Sequence, residues 1–219
     1  MQRYFIPKGT SSLSKSDQHH IKHVMRMKSH DHVIICNEAC YISEVIIADE
    51  VTYKYIKVLP KIHKRHVVLV QGLPKHPKVE TTIKYATMAG VDKIILLPMK
   101  YSIVKELPSD QKQLRYQMIA KEAAELSHRD DIPEINFVSK LDEIKLLDKT
   151  YLFDELSEQI IKDDTSDPVM IIIGPEGGIH QDERDYLNSK GALSTSLGPL
   201  IYSSEIAGVL AIQTLMTFL

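Results

Sequence analysis

From Val67 onward the chain alternates short apolar runs with stretches of helical spacing. The runs are VVLVQ (67–71), KIILLP (93–98), INFV (135–138), YLF (151–153) and VMIII (169–173). Runs of this length with no polar alternation fit strands buried on both faces. Strands that alternate with helices build a mostly parallel α/β sheet covered on both sides. Helices are expected from about Lys78 to Met88, from about Asp110 to Ser127, briefly near 141–147, from about Gln181 to Lys190, and from about Ser204 to the end. Gly90 and Gly191 follow two of them, where a C-cap needs a left-handed residue. LSTSL supplies one more strand.

Residues 1–66 have a different texture. RYFI, HVIICN, YISEVIIAD and TYKYIKVLP are rich in β-branched and aromatic residues, and Asn37-Glu38-Ala39-Cys40 suits a hairpin turn. One helical stretch, SKSDQHHIKHVMRMK, places Ile21, Val24, Met25 and Lys28 at helical spacing. Several short strands with one helix suggest a small barrel. The expected division is therefore 1–66 and 67–219.

Charge follows the same division. Residues 1–66 hold 11 Lys and Arg against 6 Asp and Glu, a net of +5; residues 67–219 hold 16 against 23, a net of −7. Seven of the ten histidines lie in the first part. A basic module beside an acidic one fits a polyanionic partner for the first, although surface charge also varies along chains for no functional reason. MQRYFIPKG has no apolar core of a signal peptide. The tail IAGVLAIQTLMTFL is 14 residues long and carries Gln213 and two threonines, too short and polar for a membrane span. A cytoplasmic protein is expected. Cys36 and Cys40 have a spacing that could suit a metal, but no second pair follows, so they are expected as free thiols. His19 and His23 share a helix face while His20 is off it, and no metal is expected there either.

VMIII runs straight into Gly174-Pro175-Glu176-Gly177-Gly178, three of the nine glycines within five positions. One glycine would make a tight strand-to-helix turn. Three, beside a proline and a carboxylate, favour a site where backbone touches a ligand. In open α/β sheets ligands sit at the carboxyl ends of strands. The loop lacks the Lys-Ser/Thr of a P-loop and the spacing of G-x-G-x-x-G. A second strand ends in Leu197-Gly198-Pro199, in LGPLIYSSEIAG. Together the two loops suit a neutral or zwitterionic ligand with an apolar part.

These residues carry a resemblance. GPEGG, then a Leu-Gly-Pro loop, a Glu and an alanine-containing last helix resemble the SPOUT methyltransferases, and within them the RsmE-type 16S ribosomal RNA uridine-N3 methyltransferases. QRYF, HHIKHVMRMKSHDHVIICN, TIKYATMAGVDKIILLPMKYSIVK and IAKEAAELSHRDDIPEI resemble further family segments in the same order. The resemblance implies a PUA-like β-barrel for the first module. For the second it implies a trefoil-knotted α/β domain that binds S-adenosylmethionine, forms a homodimer and acts on 16S ribosomal RNA of the small ribosomal subunit. It implies cofactor contacts from Gly174, Pro175, Glu176, Gly177, Gly178, Leu197, Gly198, Leu200 and Ile201. Glu205 is the retained carboxylate beside the pocket: a general base, or an acid in a helix's first turn stabilised by the dipole. Glu176 suits a loop-shaping role. RNA contacts are expected from Arg3, Lys22, His23, Arg26, Lys28 and Arg129, with Arg3 alternatively tied up at the first strand.

The chain also departs from the family pattern. Leu200 and Ser203 replace two arginines, Ile206 a threonine, Met88-Ala89-Gly90 a Glu-Leu-Gly, Lys100-Tyr101-Ser102 a Glu-Arg-Ser, and Leu126 a glutamine. A catalytically silent or redirected RNA-binding dimer is therefore the alternative to an active methyltransferase.

Overall fold

The computed structural model describes residues 1–10, 12–160, 163, 165 and 167–216. Part of the acidic loop DDTSD and the last three residues of the expected final helix lie outside the described residues. The chain forms two compact units: 1–62 with 124–131, and 63–123 with 132–219.

The first unit holds a four-stranded sheet in the order β1-β2-β3-β4, with β1 Arg3–Phe5, β2 His32–Cys36, β3 Cys40–Ile47 and β4 Val51–Val58. β1 runs parallel to β2; the other neighbours are antiparallel. The helix α1, Lys15–His19, is capped by the Ser14 hydroxyl, which accepts from the Asp17 N–H at 3.0 Å. It continues as a wider π turn over His20–Val24. Ile21 from that turn is fully buried among Tyr4, Ile6, Leu13, Val33, Ile35 and Val45. Val24 and Met25, expected on the same apolar stripe, are exposed, because the π turn changes the angle between successive side chains.

The segment 124–131 joins this unit through long-range bonds. The Phe5 N–H donates to Glu125 Oε1 at 3.1 Å, and the Ile62 N–H donates to Asp130 Oδ2 at 2.5 Å. Residues 63–66 group with the second unit because the Arg65 guanidinium is fully buried there. The cysteines correct an expectation. Cys36 and Cys40 are not free thiols but a disulfide. β2 and β3 pair Cys36 directly with Cys40 across the turn 37–39, which brings their Cα atoms to 4.1 Å. That register puts both sulfurs on one face, a condition that sequence spacing alone does not reveal.

The second unit is a six-stranded, all-parallel sheet in the order β10-β8-β9-β5-β6-β7. The strands are β5 Val67–Gly72, β6 Lys93–Leu97, β7 Glu134–Phe137, β8 Thr150–Phe153, β9 Val169–Ile173 and β10 Leu193–Thr195. Every residue of β5, β8 and β9 is buried, as an apolar run without alternation requires of central parallel strands. The helices are α2 Lys78–Met88, α3 Asp110–Leu126, α4 Gln181–Ser189 and α5 Ser204–Leu215; the expected short helix is one 3₁₀ turn, Leu141–Glu143. One core layer packs α2 and α5 against Leu69, Ile94, Leu96 and Ile171. The other face buries Val68, Val70, Leu97, Leu152 and Ile172 with Ile179 and Leu187.

Candidate active site

Because β10, β8 and β9 are adjacent and parallel, their carboxyl ends lie on one edge of the sheet. The loops that leave those ends surround a cavity of about 720 Å³. Its wall takes Asp154, Glu155, Ser157 and Glu158 from the loop after β8. Gly174, Pro175, Glu176, Gly178 and Ile179 come from the loop after β9, and Ser196 through Ser204 from the segment after β10. Lys78, at the start of α2, completes it.

Each loop is held by identifiable bonds. Gln71, fully buried at the end of β5, donates from Nε2 to the Gly174 carbonyl at 2.9 Å. Gly72 leaves room for Pro175, since a Cβ there would sit 2.5 Å from the proline Cδ. Gly178 takes φ +76° and its N–H donates to the Pro175 carbonyl at 3.0 Å, closing a turn that favours glycine. The Arg184 guanidinium bonds Asp154 and also donates to the Ile179 carbonyl at 3.1 Å, tying the loop after β8 to the loop after β9. In the third loop Ser196 Oγ accepts from the Gly198 N–H at 3.1 Å, and Gly198 takes φ +105°.

Of the residues expected to contact a cofactor, Gly174, Pro175, Glu176, Gly178, Leu197, Gly198, Leu200 and Ile201 line the cavity. Gly177 is placed otherwise: a Cβ on it would lie 2.9 Å from Tyr101 Cβ, so its small size serves packing against Tyr101. Glu176 Oε1 accepts from the Lys75 N–H at 3.1 Å, while its Oε2 is buried without a hydrogen-bond partner. Glu205, in the first turn of α5, bonds the Lys78 ammonium at 3.1 Å. Burial pushes the Glu205 carboxyl up, but bonds from its own backbone N–H and from Lys78 outweigh burial and hold it below the usual carboxylate range.

The residues proposed for RNA divide by burial. Arg3 is buried; it bonds the Arg129 carbonyl and pairs with Asp130 at 3.1 Å. Arg129 is buried too and pairs with Asp131 at 2.8 Å. Both guanidinium groups hold the first unit together, which corrects their placement among surface contacts. Lys22 donates to the Ala48 and Asp49 carbonyls at 2.9 and 2.8 Å. His23, Arg26 and Lys28 are exposed. The acidic wall after β8 and the Lys78 partner of Glu205 had no signal in the sequence, because neither stands in a motif; only the strand order brings them to the cavity.

Among the described residues no helix is long and apolar enough to cross a membrane, and no three His, Cys, Asp or Glu gather as a metal site would require.

Comparison with known proteins agrees with this architecture. The family model of an RNA methyltransferase domain matches residues 61–216, and that of an RNA methyltransferase PUA domain matches residues 13–49. The ribosomal RNA small subunit methyltransferase E of Bacillus subtilis (strain 168) is 29% identical, over 98% of this chain and 96% of its own. The protein of the same name from Buchnera aphidicola subsp. Acyrthosiphon pisum is 31% identical, over 94% and 87%. Among solved structures, a ribosomal RNA small subunit methyltransferase E from Neisseria gonorrhoeae, bound to S-adenosyl methionine, superposes with a TM-score of 0.84. It covers 97% of this chain and 95% of that one at 18% identity, a likeness of fold. A continuous match through both units, with the glycine loops gathered at one sheet edge, places the chain in the ribosomal RNA small subunit methyltransferase E family.

Proposed function

We propose that the protein methylates N3 of a uridine in 16S ribosomal RNA, with S-adenosylmethionine as the methyl donor. The cavity at the carboxyl ends of β8, β9 and β10 carries this reading. Its chemistry fits the donor. Glu176 Oε2 is a buried acceptor in need of a hydrogen-bond donor, and Glu155 and Glu158 give the wall a negative sign suited to a cationic ligand, Asp154 being paired with Arg184. A Cβ on Gly198 would meet nothing within 4 Å, so backbone there borders open space. Gly174, Gly178, Leu197 and Gly198 would hold the group through backbone, and Leu200 and Ile201 through apolar contact. S-adenosylmethionine supplies a methyl group on a positively charged sulfur.

The protein's own part is positioning and proton transfer. Uridine N3 carries a weakly acidic imide proton that must leave as the nitrogen is methylated. In this reading Glu205, held ionised near neutral pH and following Ser203 and Ser204 of the wall, accepts it. The loops after β9 and β10 fix the reacting groups relative to each other. In the first unit, exposed His23, Arg26 and Lys28 contact RNA phosphates. The trefoil knot, the homodimer and a cytoplasmic location belong to the same reading.

Calorimetry with S-adenosylmethionine and mass spectrometry of 16S ribosomal RNA from a strain lacking the protein test it together. One uridine should lose its methyl group in that strain. Binding of S-adenosylmethionine without any lost methyl group would point to a redirected enzyme. Absence of binding would favour a silent RNA-binding protein.

A further inference from the structure

We propose that Lys78 is a positioning residue for Glu205: its ammonium, from the first turn of α2, holds the carboxylate in place beside the cavity. The inference rests on the reading of Glu205 as the base. Its support is independent of that reading.

Lys78 is the first residue of α2, where the positive end of the helix dipole disfavours a cation. A lysine there needs a compensating charge, and Glu205 Oε2 lies 3.1 Å away. Side-chain exposure is 28% for Lys78 and 15% for Glu205, so the pair is better shielded from solvent than an ordinary surface ion pair. The segment Leu197 to Ser204 that borders the cavity carries no charged residue, and among the described residues of the wall Lys78 is the basic one. The charged groups on the rest of the wall are the carboxylates of Asp154, Glu155, Glu158 and Glu176. None of them can neutralise Glu205. Other donors to Glu205 are its own N–H and the serine hydroxyls of Ser203 and Ser204, which are uncharged. Lys78 is therefore the cation that fixes where the carboxylate points. Since α2 follows β5 and Glu205 opens α5, the pair also links two elements far apart in sequence.

The test uses the full chain, with Lys78→Met, Lys78→Arg, Glu205→Gln and the double variant Lys78→Met/Glu205→Gln. Carbon-13 titration of the Glu205 carboxyl, assigned by its loss in Glu205→Gln, should show Lys78→Met raising the midpoint. Lys78→Arg should leave it near the parent value. In single-turnover methyl transfer to small ribosomal subunits, Lys78→Met should slow the step on the order of 10- to 100-fold. Lys78→Arg should recover much of the rate. In the Glu205→Gln background, Lys78→Met should add no further loss. An unchanged Glu205 titration in Lys78→Met overturns the proposal, as does an equal rate loss with and without Glu205. A parent protein that transfers no methyl group sinks the functional reading instead; the titration then decides the role of Lys78 alone.

Discussion

Gly174 and Gly191 look alike in the sequence and differ in the structure. A Cβ on Gly174 would sit 2.8 Å from Ile179 Cγ1 and 2.9 Å from the Gly178 carbonyl carbon, a backbone atom that cannot swing aside. Gly191 has φ +99° and nothing within 4 Å of an added Cβ. Gly174→Ala should therefore deform the loop after β9 and abolish S-adenosylmethionine binding. Gly191→Ala should cost about 1–2 kcal/mol of stability through its left-handed backbone and leave binding intact. Calorimetry and urea unfolding of both variants check this; unimpaired binding by Gly174→Ala would remove the loop from the cofactor site. The contrast also shows what single residues disclose. The glycine cluster was legible because three glycines in five positions exceed what a turn needs. The fates of Arg3 and Arg129 were not. Arg3 finds its partners 126 and 127 positions away, a distance no local pattern encodes.

At the scale of elements, the loop after β8 is tied down by a buried charge cluster. Arg65, fully buried, donates to the Leu215 carbonyl at the end of α5 at 3.2 Å and pairs with Asp163 at 2.9 Å. Tyr151 from β8 donates its hydroxyl to the same carboxylate at 2.8 Å, and burial, with that bond, pushes the phenol up to about 12. Burial alone would raise the Asp163 carboxyl. Hydrogen bonds from Arg65, Tyr151 and Thr165 outweigh it and hold Asp163 well below the usual carboxylate range. A depressed carboxyl contributes stability that is complete above the unfolded value, near pH 4, and disappears as pH falls through the folded value. Arg65→Leu leaves Asp163 with Tyr151, Thr165 and, at 3.7 Å, the Lys149 ammonium, and should cost about 3 kcal/mol at pH 7. Urea unfolding from pH 7 to 3 should show the gap between parent and variant narrowing as the pH falls, because Asp163 takes up its proton in the variant at a higher pH than in the parent. A gap that stays constant would mean the arginine acts through packing only.

The last helix poses a second question at this scale. Gly208, Ala211, Ile212 and Leu215 of α5 are buried within the second unit, against α2, β5 and β9, while Ile206 stays exposed. Burial within one chain thus accounts for much of the apolar excess that suggested a homodimer. Sedimentation should still show two chains per particle at micromolar concentration, with Ile206→Glu shifting the equilibrium toward one. A parent that sediments as a single chain would end the dimer reading. The strands and helices themselves were nearly all legible, since β5, β8 and β9 are apolar throughout and Gly90 and Gly191 mark helix ends. The disulfide, the π turn and the acidic wall after β8 were not. Each depends on register or on strand order, and the β10-β8-β9 order places β8 between two strands that follow it in the chain.

At the scale of the molecule, we propose that RNA capture falls to exposed cations of the first unit. Residues 1–66 carry +5 and residues 67–219 carry −7, yet the unit of 1–62 with 124–131 holds 10 Lys and Arg against 9 Asp and Glu, a net of +1, so net charge alone does not select it. Individual exposed side chains are then what a phosphate can reach. Arg3 and Arg129 are buried and paired, and Lys22 is bonded to two carbonyls. Arg26 and Lys28 are exposed, close together in the loop that follows the π turn, with Arg26 at φ +52°. Each phosphate neutralised releases counterions, at a slope of about 0.7 per contact on a single strand and about 0.9 on a duplex. Changing Arg26 and Lys28 together to Gln should therefore weaken RNA binding and reduce the slope of log affinity against log salt by about 1.4 to 1.8. S-adenosylmethionine affinity should stay as in the parent, because Arg26 and Lys28 belong to the first unit and the cavity to the second. Arg3→Gln should instead lower the melting temperature, since it leaves Asp130 without its ion-pair partner. A salt titration of RNA binding for the parent and both variants separates these roles. If the double variant keeps the parent's slope while Arg3→Gln loses it, the exposed loop is not where RNA is captured, and the charge difference between the two parts has another cause.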